Sequence, residues 1–320
     1  MNQILQNIHE IGIVPVLVID RVDLAVPLAK ILKESGMPCA EIAFRTDEAA
    51  QVIGIMKKEY PDMLVGAGTV LTIDQVKAAV EQGADFIVSP GFNPSVVQYC
   101  VDHDILIMPG AVNPSDVERA LELGLEAVKF FPVIANGGLD AIRYLSGPYS
   151  NLRFMPTGGI HTGNMNEYLD CPIILAVGGD WMVEGSLIKE GRLDQIKALV
   201  EESVAAMLGF ELAHVGLNCE GEKDAQEAAE RFAGIFGVPT AGYPGAVFAG
   251  TMLEAVKQPV YGTAGHIGIY TNSVERAVRY LNDRGYTCRE ESRQYRADGR
   301  LSCVYLEEEI SGFAIHLLQK

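Results

Sequence analysis

Along residues 1–210, short apolar runs rich in β-branched side chains alternate with stretches whose apolar positions recur every three or four residues. The runs at 13–19, 39–44, 64–69, 86–90, 105–110, 127–131, 153–157 and 173–178 predict strands. Between and after them, 22–35, 48–59, 73–82, 94–103, 114–123, 138–145, about 163–169 and 192–209 predict helices. Cap chemistry agrees: Asp74 follows Thr72, Asn93-Pro94-Ser95 and Asn113-Pro114-Ser115 place proline in a first turn, and Gly36, Gly83 and Gly124 close helices. Repetition every 20–25 residues or so is the spacing of βα units, and eight of them predict an α/β chain folded as a (β/α)8 TIM barrel. A doubly wound open sheet is the alternative, but no G-x-G-x-x-G follows the first strand.

After Met207-Leu208-Gly209-Phe210 the pattern changes. Ala213-His214-Val215-Gly216-Leu217-Asn218 and Gly265-His266-Ile267-Gly268-Ile269-Tyr270 open two similar segments. Helical patterns follow at 224–236 and 273–284, closed by Gly237 and Gly285. Strands then return at 246–257 in the first copy, and at 286–292, 301–307 and 312–319 in the second. We expect two domains, 1–210 and 211–320, the second a smaller α+β unit of paired βαβββ-like modules whose first copy lacks a strand.

Composition narrows the function classes. The chain has 320 residues, 48% of them apolar, and a net charge of −17 concentrated in the first 210. An acidic surface argues against nucleic acid, whose phosphates need a basic face. Residues 1–10 carry no basic, signal-like leader, and the apolar run 11–19 is broken by Pro15 and too short to span a bilayer. The cysteines Cys39, Cys100, Cys171, Cys219, Cys288 and Cys303 are scattered without a C-x-x-C pair, as in a reducing compartment. A soluble cytoplasmic protein with no membrane partner is the expectation.

Candidate chemistry lies where the barrel strands end. Glu126-Ala127-Val128-Lys129-Phe130-Phe131-Pro132 sets one lysine in an apolar strand, where burial disfavours its charged form. A neutral amine beside a bound carbonyl forms a Schiff base; an isolated strand lysine otherwise snorkels to solvent. In the second strand, alternation puts Glu41, Ala43 and Arg45 on one face, as a buried ion pair or as working groups. Glu41 is then placed to move protons, while the forked Arg45 and the Thr69 hydroxyl suit a keto-acid carboxylate. Pro90 and Phe131 would cover the imine. Thr157-Gly158-Gly159 and Gly178-Gly179-Asp180 follow the last two strands, where backbone N–H groups of such barrels hold phosphate. Together these residues point to a lyase acting on a small 2-oxo acid.

Residues 5–208 closely resemble the bacterial 2-keto-3-deoxy-6-phosphogluconate / 4-hydroxy-2-oxoglutarate aldolases. The motifs are Pro15-Val16-Leu17-Val18, Glu41-Ile42-Ala43-Phe44-Arg45-Thr46, Gly66-Ala67-Gly68-Thr69-Val70, Ser89-Pro90-Gly91, Lys129-Phe130-Phe131-Pro132, Asn136-Gly137-Gly138, Pro156-Thr157-Gly158-Gly159-Ile160 and Gly178-Gly179. The resemblance implies a homotrimeric class I aldolase without a cofactor. It makes Lys129 the Schiff-base lysine and Glu41 the acid/base, with Arg45 and Thr69 on the pyruvate carboxylate and Gly158, Gly159 and Gly179 on a distal phosphate. Where that family's pattern has serine, this chain has Asp180. Either Asp180 turns outward and phosphate is still held, or the substrate is an unphosphorylated 2-keto-3-deoxy sugar acid.

In the second domain, alternation gathers His214, Glu254, His266 and His316 around one cup, donors suited to a divalent Zn, Fe, Ni or Mn ion. This pattern resembles the glyoxalase / vicinal-oxygen-chelate superfamily, which implies a metal there. The alternative is a metal-free fold that helps assembly or shapes the aldolase mouth, with these histidines hydrogen-bonded in the cup. Two other functions stay open: a regulatory or binding protein with an inactive barrel, and a second, metal-dependent activity centred on residues 211–320.

Overall fold

The computed structural model describes residues 2–320, so Met1 lies outside it. The chain forms two compact units, one ending at Met207 and the other beginning at Leu208. The first opens with a helix that the strand–helix alternation did not predict, α1 (Gln3–Ile11). Its Asn2 cap accepts from the Ile4 N–H, Leu5, Ile8 and Ile11 are buried on one face, and Gly12 ends it.

Eight parallel strands follow: β1 (Ile13–Leu17), β2 (Cys39–Ala43), β3 (Leu64–Gly68), β4 (Phe86–Val88), β5 (Ile107–Met108), β6 (Ala127–Phe130), β7 (Arg153–Pro156) and β8 (Val177–Gly179). Six pair in the order β5-β4-β3-β2-β1-β8, and β6 pairs with β7. Single bridges close the ring: Gly110 with Lys129, and Phe154 and Thr157 with Ile174 and Gly178. The expected barrel is therefore present, with shorter strands than the apolar runs suggested. Pro109, which has no N–H, follows β5 directly and ends its ladder.

The outer layer is α2 (Ala25–Glu34), α3 (Ala49–Glu59), α4 (Ile73–Glu81), α5 (Pro94–Asp102), α6 (Pro114–Glu122), α7 (Gly138–Ser146), α8 (Met165–Leu169), α9 (Gly185–Glu190) and α10 (Leu193–Leu208). Thr72 and Gln75 form a capping box on α4, and Asn93 and Asn113 cap α5 and α6. The short α9 was not expected. Phe86, Phe130 and Phe154 are among the largest fully buried side chains, and Gly66 makes room for the first: a Cβ there would stand 2.2 Å from the Phe86 ring.

The second unit is an eight-stranded sheet with two helices. Its first copy contains β9 (Glu211–Asn218), α11 (Glu222–Phe236), β10 (Thr240–Gly242), β11 (Ala246–Ala249) and β12 (Leu253–Val256). Its second contains β13 (Gly265–Thr271), α12 (Val274–Asn282), β14 (Gln294–Tyr295), β15 (Leu301–Ile310) and β16 (Phe313–Gln319). The order β10-β11-β12-β9-β13-β16-β15-β14 joins the copies through antiparallel β9 and β13, and each copy reads βαβββ.

Two expectations are corrected here. The first copy lacks no strand; β10 is a fully exposed edge of three residues, too short and too polar in setting to stand out as an apolar run. Residues 286–292 form no continuous strand, only a single antiparallel bridge of Cys288 with Leu306. Arg289 bonds the Leu306 and Glu307 carbonyls with its side chain, and the chain turns through Glu290–Ser292 before the two-residue β14.

Candidate active site

Lys129 is held on β6 by backbone bonds on its β5 side: its N–H donates to Pro109 O, and its C=O accepts from Ala111 N–H, both at 2.9 Å. The side chain does not snorkel. Lys129 is 6% exposed, Glu41 is fully buried, and Nζ donates to Glu41 Oε1 at 2.9 Å. The structure sets a carboxylate directly against the amine, which gives the amine's proton an immediate acceptor. The Phe131 ring centroid lies 5.7 Å from Nζ, within cation–π range.

Room for this pair comes from a glycine at the end of β3. A Cβ on Gly68 would stand 2.2 Å from Glu41 Oε1. Gly68→Ala should push the carboxylate off the amine and lower kcat by about 10²-fold, because catalytic groups displaced by about 1 Å lose that much. Steady-state turnover checks this; a rate within about twofold of the unmutated chain would refute it. Gly110 works similarly, since a Cβ there would meet Pro90 O at 2.1 Å, so the ends of β4 and β5 close up around a half-buried Pro90.

The remaining expected residues ring the same strand ends. Thr69, just past β3, has φ 54, a left-handed backbone that β-branched residues rarely adopt, and is half-buried. Arg45 departs from the alternation argument: β2 stops at Ala43 and the chain turns, leaving Arg45 exposed with no ion pair among the described residues. Thr157 Oγ1 and Glu41 Oε2 are buried with no hydrogen-bond partner among the described residues. Two unsatisfied oxygens in one barrel are the kind of group a polar ligand completes. Gly178 leaves space for the first, since its Cβ would stand 2.4 Å from Thr157 Oγ1.

Gly158 and Gly159 have φ of 95° and 92°, which only glycine adopts freely. They lie against Phe131 and Ile134 respectively. Gly179 packs under the Trp181 ring, whose Nε1–H donates to Ser203 Oγ at 2.9 Å. Asp180 is exposed, with no ion pair among the described residues.

The second unit gathers its own cluster from four strands. His214 Nε2 lies 3.1 Å from His266 Nε2 and 3.2 Å from His316 Nε2. Glu254 Oε2 lies 3.1 Å from His266 Nε2 and 3.2 Å from His214 Nε2. The registers are equivalent: Glu254 sits beside Gly216, and His316 beside Gly268. These glycines explain the His-x-Gly repeat. A Cβ on Gly216 would stand 2.1 Å from the His266 ring, and one on Gly268 would stand 2.8 Å from both His214 and His316.

Burial, then the neighbouring His266 and His214, pushes the His316 imidazole down to about 3. Burial works against the Glu254 carboxylate, but hydrogen bonds with His214 and His266 outweigh it and hold the group at about 2. Tyr305 stacks on the His316 ring at 4.6 Å and 17°, and Cys303 Sγ lies 3.6 Å from its Nδ1. Neither residue was singled out from the sequence. Only the β15–β16 register, which sets Tyr305 opposite His316, reveals them.

A family model described as "Aldolase: KDPG and KHG aldolase" matches residues 4–199. The 2-dehydro-3-deoxy-phosphogluconate aldolase of Haemophilus influenzae is 47% identical over 202 residues, covering 63% of this chain and 95% of that relative. Among solved structures, the KDPG aldolase of Legionella pneumophila, with pyruvate captured as a covalent carbinolamine, is 34% identical at TM-score 0.60. It covers 62% of this chain and 97% of its own. The 2-keto-3-deoxy-6-phosphogluconate aldolase of Zymomonas mobilis ZM4, with 3-phosphoglycerate, is 37% identical at TM-score 0.58, covering 62% and 94%.

Proposed function

The chain belongs to the KDPG and KHG aldolase family and is a carbon–carbon lyase, and from that premise we propose how its residues divide the work. Its substrate is a 2-keto-3-deoxy sugar acid, cleaved to pyruvate and an aldehyde: glyceraldehyde 3-phosphate from 2-keto-3-deoxy-6-phosphogluconate, or glyoxylate from 4-hydroxy-2-oxoglutarate. The observation that carries the assignment of roles is the 2.9 Å contact between Lys129 Nζ and Glu41 Oε1 inside the barrel.

Lys129, once it has given a proton to Glu41, attacks the keto carbon. Water leaves, its oxygen protonated by Glu41, and an iminium forms on Nζ. Glu41 then takes the proton of the C4 hydroxyl, the C3–C4 bond breaks, and its electron pair moves toward the iminium nitrogen. The aldehyde departs, and an enamine stays on Lys129. Protonation at C3 by Glu41, followed by hydrolysis, frees pyruvate and the lysine. Arg45 and Thr69 hold the carboxylate, while Phe131 and Pro90 exclude water from the imine. Thr157, with its unpartnered hydroxyl, bonds the substrate chain.

Gly158, Gly159 and Gly179 offer backbone N–H groups to a distal phosphate, and the exposure of Asp180 favours the reading in which that side chain turns away from it. Two measurements test this assignment. Borohydride reduction with pyruvate should leave a stable adduct on Lys129, located by mass mapping. The phosphorylated substrate should show the higher kcat/KM, with Asp180→Ser raising it further; a preference for the unphosphorylated acid would assign Asp180 to a neutral, hydroxylated tail. A homotrimer in the cytoplasm accompanies this reading, its mass measurable by sedimentation.

For residues 208–320 the paired βαβββ topology supports a glyoxalase / vicinal-oxygen-chelate-like unit. The donor set suits a divalent ion: the His214, His266 and His316 nitrogens lie within 4.8 Å of one another, His214 Nε2 stands 3.1 and 3.2 Å from the other two, and Glu254 Oε2 stands 3.1–3.2 Å from His266 and His214. Ligands around an ion with bonds of about 2.1 Å stand roughly 3.0–3.4 Å apart. His214 Nε2 meets the Nε2 atoms of both His266 and His316 and cannot serve both as donor and as acceptor in one tautomer, so a cation satisfies the three better than hydrogen bonds do. His214, His266, His316 and Glu254 would hold it, and a bound ion would polarise an oxygen of a small ligand. Protein purified without chelator should carry about one divalent ion per chain, and His214→Ala with His266→Ala should lose it. Metal-free unmutated protein would leave a hydrogen-bonded cup instead.

A further inference from the structure

For an imidazole to bind a cation through Nε2, its ring proton must sit on Nδ1, and whatever lies at Nδ1 decides that. Among the described residues, Cys303 Sγ is the hydrogen-bond partner of His316 Nδ1, at 3.6 Å. Cys303 is buried, two residues before Tyr305 on β15, so both side chains face the same side. Tyr305 fixes the plane of the His316 ring by stacking, and Cys303 meets its edge.

Two directions exist for that contact, with opposite consequences. If the thiol donates to Nδ1, the neutral ring carries its proton on Nε2, aimed at His214 and the centre of the cluster, which keeps a cation out. If Nδ1–H donates to sulfur, the Nε2 lone pair faces His214 Nε2 at 3.2 Å and is free to bind.

We propose that Cys303 is a positioning residue of the histidine cup: its sulfur accepts the Nδ1–H of His316 and so holds the tautomer that a divalent cation requires. This rests on the metal reading of the cup and extends it to a residue that touches no ion itself. Such partners of ligating histidines change metal affinity by about 10–100-fold when removed.

The test is a Co²⁺ titration of the metal-stripped full chain, followed by visible absorption and by competition with a chromophoric chelator. Three variants are compared, each checked first for an unmutated melting transition. Cys303→Val keeps apolar bulk without an acceptor, Cys303→Ala removes both, and Cys303→Ser keeps an acceptor. Val and Ala should weaken Co²⁺ binding about tenfold or more and alter the ligand-field bands, while Ser should stay within about threefold. Should one apolar variant not fold, the other carries the comparison with Ser.

Equal affinity and unchanged spectra in the apolar variants would overturn the role of Cys303 and leave the metal reading standing. Loss in Ser as large as in Val would also overturn it, since bulk rather than the acceptor would then matter. A chain that takes up no Co²⁺ before any substitution would remove the metal reading, and this proposal with it.

Discussion

Lys129→Met should abolish aldolase turnover, by about 10⁴-fold or more, and leave nothing for borohydride to trap with pyruvate. Methionine matches the length and apolar stem of the lysine but has no nucleophile, so the loss belongs to chemistry more than to packing. A second effect follows from the geometry. Glu41 is fully buried, with Oε2 unpartnered among the described residues and Oε1 held by Lys129. Removing the amine strands a carboxylate in the barrel, which costs about 3–5 kcal/mol when one member of a buried pair is lost. Lys129→Met should therefore melt at lower temperature than the unmutated chain, and adding Glu41→Gln should recover part of that loss. Turnover that persists in the single variant would sink the Schiff-base assignment. A melting temperature unchanged by either substitution would mean the ion pair is solvated in solution.

Glu41→Gln alone should separate binding from proton transfer. The amide keeps the shape and a hydrogen bond to Nζ but takes no proton, so kcat should fall by about 10²–10⁴-fold. Pyruvate should still be trapped on Lys129 at long incubation, since the amine is intact and solvent can serve as a slow acid. Retained trapping with lost cleavage marks Glu41 as the proton carrier of the C–C step. Turnover within a few-fold of the unmutated chain would assign that role elsewhere.

Much of this was legible in the sequence, because barrel geometry turns spacing into position. Once eight strand–helix units are recognised, polar residues at strand ends must face one mouth, and Glu41 and Lys129 meet although 88 residues separate them. Alternation failed at Arg45 because it assumes that a strand continues, and β2 ends two residues earlier. The role of Gly68 was hidden because a glycine's contribution here is an absent atom, visible only when its neighbour is placed. Helix α1 escaped because it stands ahead of the first strand and so outside the strand–helix repeat. In the second unit the duplicated His-x-Gly located two of the four donor strands and the equivalent places of Glu254 and His316 the other two, whereas Cys303 and Tyr305 depend on a register that no local pattern encodes. Strand β10 was missed for the same reason that it is marginal, being short and exposed.

The two glycines of the repeated His-x-Gly segments have a wider implication. The hollow that admits His266 is made in the first copy, and the hollow that admits His214 is made in the second. Each half is thus the mould for the other. Drift in one copy is constrained by rings it does not encode, so the duplicated segments can diverge only in step. Neither half retains the cup if expressed by itself.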